Sequence, residues 1–99
     1  MAQYDIYRMP GGAGYLLNVQ SDLLEGMATR VVVPLMPRDT APPAADRLNP
    51  VFTIGGEDLV LVTQNLAAVP LSILGKAIGG LDAEADAVRN ALDMVFVGF

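Results

Sequence analysis

The 99-residue sequence predicts a small, mainly β fold, an antiparallel barrel or sandwich finished by one C-terminal α-helix. Three observations carry that expectation. Short β-branched runs broken by Gly and Pro recur along the chain, as in "RVVVPL" (Arg30 to Leu35) and "VFTIGGEDLVLVT" (Val51 to Thr63). Gly55-Gly56 lies between two such runs and suits the primed turn of a hairpin, which requires positive φ. Beyond Gly80 the period changes. Val88, Leu92, Val95 and Phe99 recur at steps of four, three and four, which is one face of a helix, with Ala85 and Phe96 beside it.

Taken in order, a strand over Gln3 to Met9 ends at Pro10, and "PGGAG" (Pro10 to Gly14) turns the chain into a second strand, Tyr15 to Gln20. The two form a hairpin. Leu23 and Leu24 follow "SD", and "EGMATR" connects them to a strand over Arg30 to Met36. Pro34 cannot donate a ladder hydrogen bond, so it is expected on an edge, at a bulge or at the strand's end. Residues 37–50 carry four prolines and read as a loop. "LAAVP" is expected to bend the chain, Leu71 to Gly75 to form a short strand, and "AIGG" to break it. Asp82 is placed to cap a helix running to about Val97, with Glu84 and Asp86 complementing its positive end. Asp86, Arg89, Asn90 and Asp93 make its outer face polar. Met94 and Val97 then leave the last turn apolar all round, and the chain stops on "MVFVGF". Such an ending either folds back into a core or is a surface meant for a partner.

At this length one domain over residues 1–99 is expected. Apolar residues make up 53% of the chain and charged ones only 17%, against a typical ~25%. So small a core cannot hide that much apolar surface, which implies a homodimer. The formal charge is −5, with six scattered cations, Arg8, Arg30, Arg38, Arg47, Lys76 and Arg89. That argues against direct nucleic-acid binding by this chain alone and against a membrane-surface helix. No Cys is present, so disulfides and thiol nucleophiles are excluded, and no His, which removes the commonest general base. With no signal peptide and no apolar stretch near ~18 residues, the expected location is the cytoplasm.

A search for catalysis finds little. Asp22 with Glu25, Glu57 with Asp58, and Asp82, Glu84 and Asp86 read as solvated or capping acids, because a catalytic pair needs unlike environments. Ser72 and Lys76 lie four apart without a base or oxyanion nest nearby in sequence. Tyr4, Tyr7 and Tyr15 read as strand residues with one wet end. The residues therefore predict no enzyme, no catalytic residue, no metal and no cofactor, and a protein that acts by binding.

Five stretches in register resemble the CcdB family, the toxins of a toxin–antitoxin pair that poison DNA gyrase. They are "VQSDLL" (Val19 to Leu24), "RVVVPL" (Arg30 to Leu35), "LNPVFTIGGEDL" (Leu48 to Leu59), "AAVPLSILG" (Ala67 to Gly75) and "RNALDMVFVGF" (Arg89 to Phe99). The resemblance implies a homodimer of SH3-like barrels whose C-terminal helices lie near the two-fold axis, with Met94 and Val97 at the dimer interface. It further implies binding to the gyrase A subunit, trapping of the cleaved complex, and neutralisation by a CcdA-like antitoxin. The implied gyrase-binding residues are Leu23, Leu24, Asp93, Phe96, Val97, Gly98 and Phe99. Val97 stands where the family has tryptophan, a loss of ~1–3 kcal/mol of hot-spot energy that leaves a non-toxic or retargeted homologue as the alternative.

Overall fold

One strand organises the fold. In the computed structural model, which describes residues 2–98, β3 (Thr29–Pro37) has β2 (Tyr15–Asn18) along one edge. Its other edge is shared between β6 (Ala67–Pro70), which pairs its first half, and β5 (Glu57–Leu61), which pairs its second. The strands β1 (Asp5–Arg8), β4 (Val51–Ile54) and the two-residue β7 (Gly79–Gly80) complete a sheet of order β4-β5-β3-β2-β1-β7. Every pairing is antiparallel. The sheet curls into a half-barrel, and one helix, α1 (Ala85–Phe96), ends the fold, as the sequence predicts.

Alternation along β3 sends Val31, Val33 and Leu35 to one face and Arg30, Val32 and Pro34 to the other. The first face packs with Tyr4, Ile6, Leu17, Phe52, Leu59 and Leu61 and receives Val88 and Ala91 of α1. On the second face Tyr7, Leu16 and Val32 are covered by Leu74, from the segment that follows β6. Both faces are therefore buried around β3, which explains why its run of valines shows no polar alternation.

Pro34 sits inside β3, opposite Leu16, and not at an end. Its carbonyl accepts the Val62 N–H at 2.9 Å, so its nitrogen points to the same side, where β6 gives way to β5. The Val62 carbonyl is already taken by the Asn65 N–H at 3.0 Å, so no acceptor is left waiting for the donor that proline lacks. The Gly55-Gly56 hairpin is as expected, with Ile54 paired to Glu57 and φ of +60° and +82° at the glycines.

Four local expectations are corrected. Ala67–Pro70 is a strand, because the free edge at Thr29 to Val32 supplies a partner that outweighs weak β propensity, and Pro70 falls at the strand's last position. Leu71–Ile73 is a 3-10 turn that brings Leu74 onto the second face. Gly79–Gly80 pairs with Asp5 and Ile6 instead of merely breaking the chain. Asp82 begins a 3-10 turn, Asp82–Glu84, that runs into α1, and no side chain caps either start.

Candidate functional site

The accessible surface of 5551 Å² is close to the ~5,400 Å² that size scaling gives for a folded monomer of this mass. Exposed apolar side chains here therefore do not reflect a loosely packed chain. They concentrate on two elements, the turn between β2 and β3 and the end of α1, with Ile73 and Ile78 exposed elsewhere.

The turn is a 3-10 segment, Asp22–Leu24. Ser21 Oγ accepts the Leu23 N–H at 3.2 Å, and Asp22 Oδ1 accepts the Gln3 N–H at 2.7 Å. Gln20 braces it from beneath, its Nε2 donating to the Leu24 carbonyl at 3.1 Å while its Oε1 accepts the Val31 N–H at 3.0 Å. With the backbone tied by polar groups, the apolar side chains are left outside. Leu23 is 94% exposed, Leu24 51% and Met27 55%. None of the three joins either core cluster.

At the other element, Val88 and Ala91 are fully buried and Leu92 packs against the core, but no residue after Leu92 belongs to it. The last turn of α1 therefore contributes nothing to the core. Phe96 is 69% exposed and does not staple the helix to the barrel, and Val97 and Met94 are exposed too. Asp93 lies on the outer side, and its carbonyl accepts both the Val97 N–H at 2.7 Å and the Gly98 N–H at 3.1 Å. Gly98 ends the helix at φ +91°, a left-handed conformation that costs any side chain, so glycine here has a structural reason of its own. Phe99 lies outside the described residues.

The predicted residues thus fall into two projecting groups on different elements. Met27 and Arg30 stand outside the residues that the sequence singles out: Met27 lies in the connecting "EGMATR" and Arg30 opens a strand, and only the fold brings the two together. The only available signal was an arginine opening a valine run. The acids do not assemble: among the described residues no group of three or more Asp, Glu, His or Cys could hold a metal ion. The described residues also enclose no pocket, so the candidate site is a surface of projecting side chains and not a cleft. Tyr7 departs from the reading of one wet end, because its hydroxyl is buried without a partner. No described helix is long and apolar enough to cross a membrane.

Among solved structures, the chain is similar to an endoribonuclease in complex with its cognate antitoxin from a mycobacterial species (TM-score 0.76, 17% identity, 96% of this chain and 93% of that one). It is also similar to the Mycobacterium tuberculosis toxin MazF-mt6 (0.72, 17%, 93% of each chain). A structure described as an Mtb toxin matches as well (0.75, 19%, 92% of this chain and 99% of that one). At such identities the likeness shows the fold alone. It nevertheless corrects two expectations. Gyrase poisoning is withdrawn as the function, because this fold is shared with endoribonuclease toxins, and the exclusion of an enzyme is withdrawn for the same reason. The physical cause is that one curled sheet with a helix positions different surface side chains for different work, so the scaffold does not select the activity. Residues 3–98, nearly the whole chain, match the family described as CcdB protein, and the chain therefore belongs to the CcdB family.

Proposed function

We propose that this protein is the toxin of a toxin–antitoxin pair, a homodimer that engages a macromolecular target through Leu23, Leu24 and Met27 and through Asp93, Phe96, Val97 and Gly98, and that an antitoxin silences by covering part of that surface. Family membership supports the toxin–antitoxin context, and one neighbour of the same fold was solved with its antitoxin. The observation that carries the surface is Leu23, 94% exposed on a turn whose backbone is held by the side chains of Ser21 and Gln20. Holding an apolar side chain in water stabilises nothing in the folded subunit, while a rigid apolar projection loses little entropy on binding. Met94 and Val97 supply the contact between the paired helices.

The test is induction of the chain in a bacterial host, with and without co-expression of the product of the adjoining gene as the candidate antitoxin. Growth arrest relieved by the antitoxin is expected, with arrest weakened at least tenfold in dose by Leu23→Ser or Phe96→Ser. Unimpaired growth at high expression would end the reading.

A second reading, favoured by the fold shared with mycobacterial endoribonucleases, is that the target is RNA and that the protein cleaves it. Purified protein incubated with total RNA, followed by mapping of new 5′ ends, decides this. Arrested growth with intact RNA would leave the binding toxin and remove the nuclease.

A further inference from the structure

Arg30 is buried, 4% exposed, although arginine is almost never fully buried unless paired. Among the described residues no carboxylate lies within 4.0 Å of it. Its guanidinium instead donates to three backbone carbonyls. Nη1 reaches Met27 O and Thr29 O, each at 2.8 Å, and Nη2 reaches Glu25 O at 2.7 Å. All three acceptors belong to the stretch that follows Leu23 and Leu24 and contains Met27. A buried cation with only neutral partners is costly to desolvate, and it persists where its donors do something hydrophobic packing cannot. Here they gather carbonyls of a segment that is otherwise irregular and exposed.

We propose that Arg30 is a positioning residue, an internal strut that holds the 21–29 turn in its binding conformation so that Leu23, Leu24 and Met27 project outward. The inference rests on the proposed role of that surface. Arg30 itself touches no target. A planar fork holds its donors on separate nitrogens at a fixed spacing, here Nη1 and Nη2, whereas an ammonium offers its three donors from a single point. Gln20 ties the same turn to β3 from a second direction through Leu24 and Val31. Removal of Arg30 therefore loosens the turn without dissolving the sheet.

The experiment compares the wild type with Arg30→Met, which keeps the apolar stem, and Arg30→Lys, which keeps the charge. Amide hydrogen exchange is followed in peptides covering residues 21–29 and in peptides covering the core of β3. Arg30→Met is expected to speed exchange in the turn at least tenfold with the core unchanged, and Arg30→Lys to fall between. Equal exchange in the turn of all three proteins, or acceleration spread evenly over turn and core, overturns the proposal. Should Arg30→Met not fold, the same comparison is read on Arg30→Lys. A second arm measures the dose for growth arrest: loss caused by Arg30→Lys should vanish in a Leu23→Ser background, because the strut acts through that side chain. Additive losses would refute it. The exchange arm needs no toxicity, so failure of the strut and failure of the toxin reading are told apart.

Discussion

Tyr7 is 1% exposed, and its hydroxyl has no hydrogen-bond partner among the described residues. Burial, and then the negative charge of Asp5, push its pKa above the usual 10.0, while Arg30 pulls the other way. As the pH rises past 10.0, the unfolded chain gives up this proton before the folded one does, so stability present at lower pH is lost there. Tyr7→Phe removes both the orphan hydroxyl and its share of the alkaline loss. It should leave stability at neutral pH unchanged or raised by about 1 kcal/mol. Urea unfolding at neutral pH and above pH 10.0 checks this, and a large destabilisation would mean that the hydroxyl has found a partner such as water. Gly14 makes a second residue-scale prediction. It holds φ +97°, and a Cβ there would lie 2.3 Å from the Leu35 carbonyl oxygen, a backbone atom that cannot swing aside. Gly14→Ala should cost about 2–4 kcal/mol. Gly11→Ala, at φ +68° but facing open space, should cost only about 1 kcal/mol, and equal effects in thermal melts would contradict the clash.

Two elements show how side chains outside the regular structure define it. The proline-bearing segment before β4 is held by Asn49, which is buried. Its Nδ2 donates to Leu61 O at 3.0 Å and to Gln64 Oε1 at 2.8 Å, and its Oδ1 accepts the Ala45 N–H at 3.1 Å. Asn49→Ala would strand these groups and should destabilise by about 2–3 kcal/mol in denaturant titration. The end of α1 predicts the reverse. Since Phe96 projects beyond the core, Phe96→Ser should change stability by less than about 0.5 kcal/mol while weakening toxicity, and a large fall in melting temperature would show that it packs after all. The helix itself was legible from the steps between Val88, Leu92 and Val95, and the β4–β5 hairpin from Gly55-Gly56. The strand Ala67–Pro70 was not, because alanine and proline signal no strand, and its only reason to be one is the vacant edge of β3, far away in sequence.

At the scale of the molecule, the apolar excess in the composition has two destinations. Part is absorbed by a sheet covered on both faces, with Leu74 as the lid of the second, and part stays outside on the β2–β3 turn and the helix end. The proposed homodimer would cover some of the remainder. Sedimentation at micromolar concentration is expected to give twice the chain mass of 10.4 kDa, and Met94→Glu with Val97→Glu to return it to a single chain. A monomer at all concentrations would remove the dimer and leave the exposed end to the target alone. The chain's own residues determined the mainly β architecture, the hairpin turn, the helix and the unusual apolar finish, since each follows from local spacing and backbone preference. Only the tertiary structure decided that Pro34 could stand inside a strand, that Arg30 would turn inward beneath the turn bearing Leu23, and that Phe96 would project instead of packing. Those outcomes depend on which distant carbonyls and side chains meet, and local pattern carries no information about that.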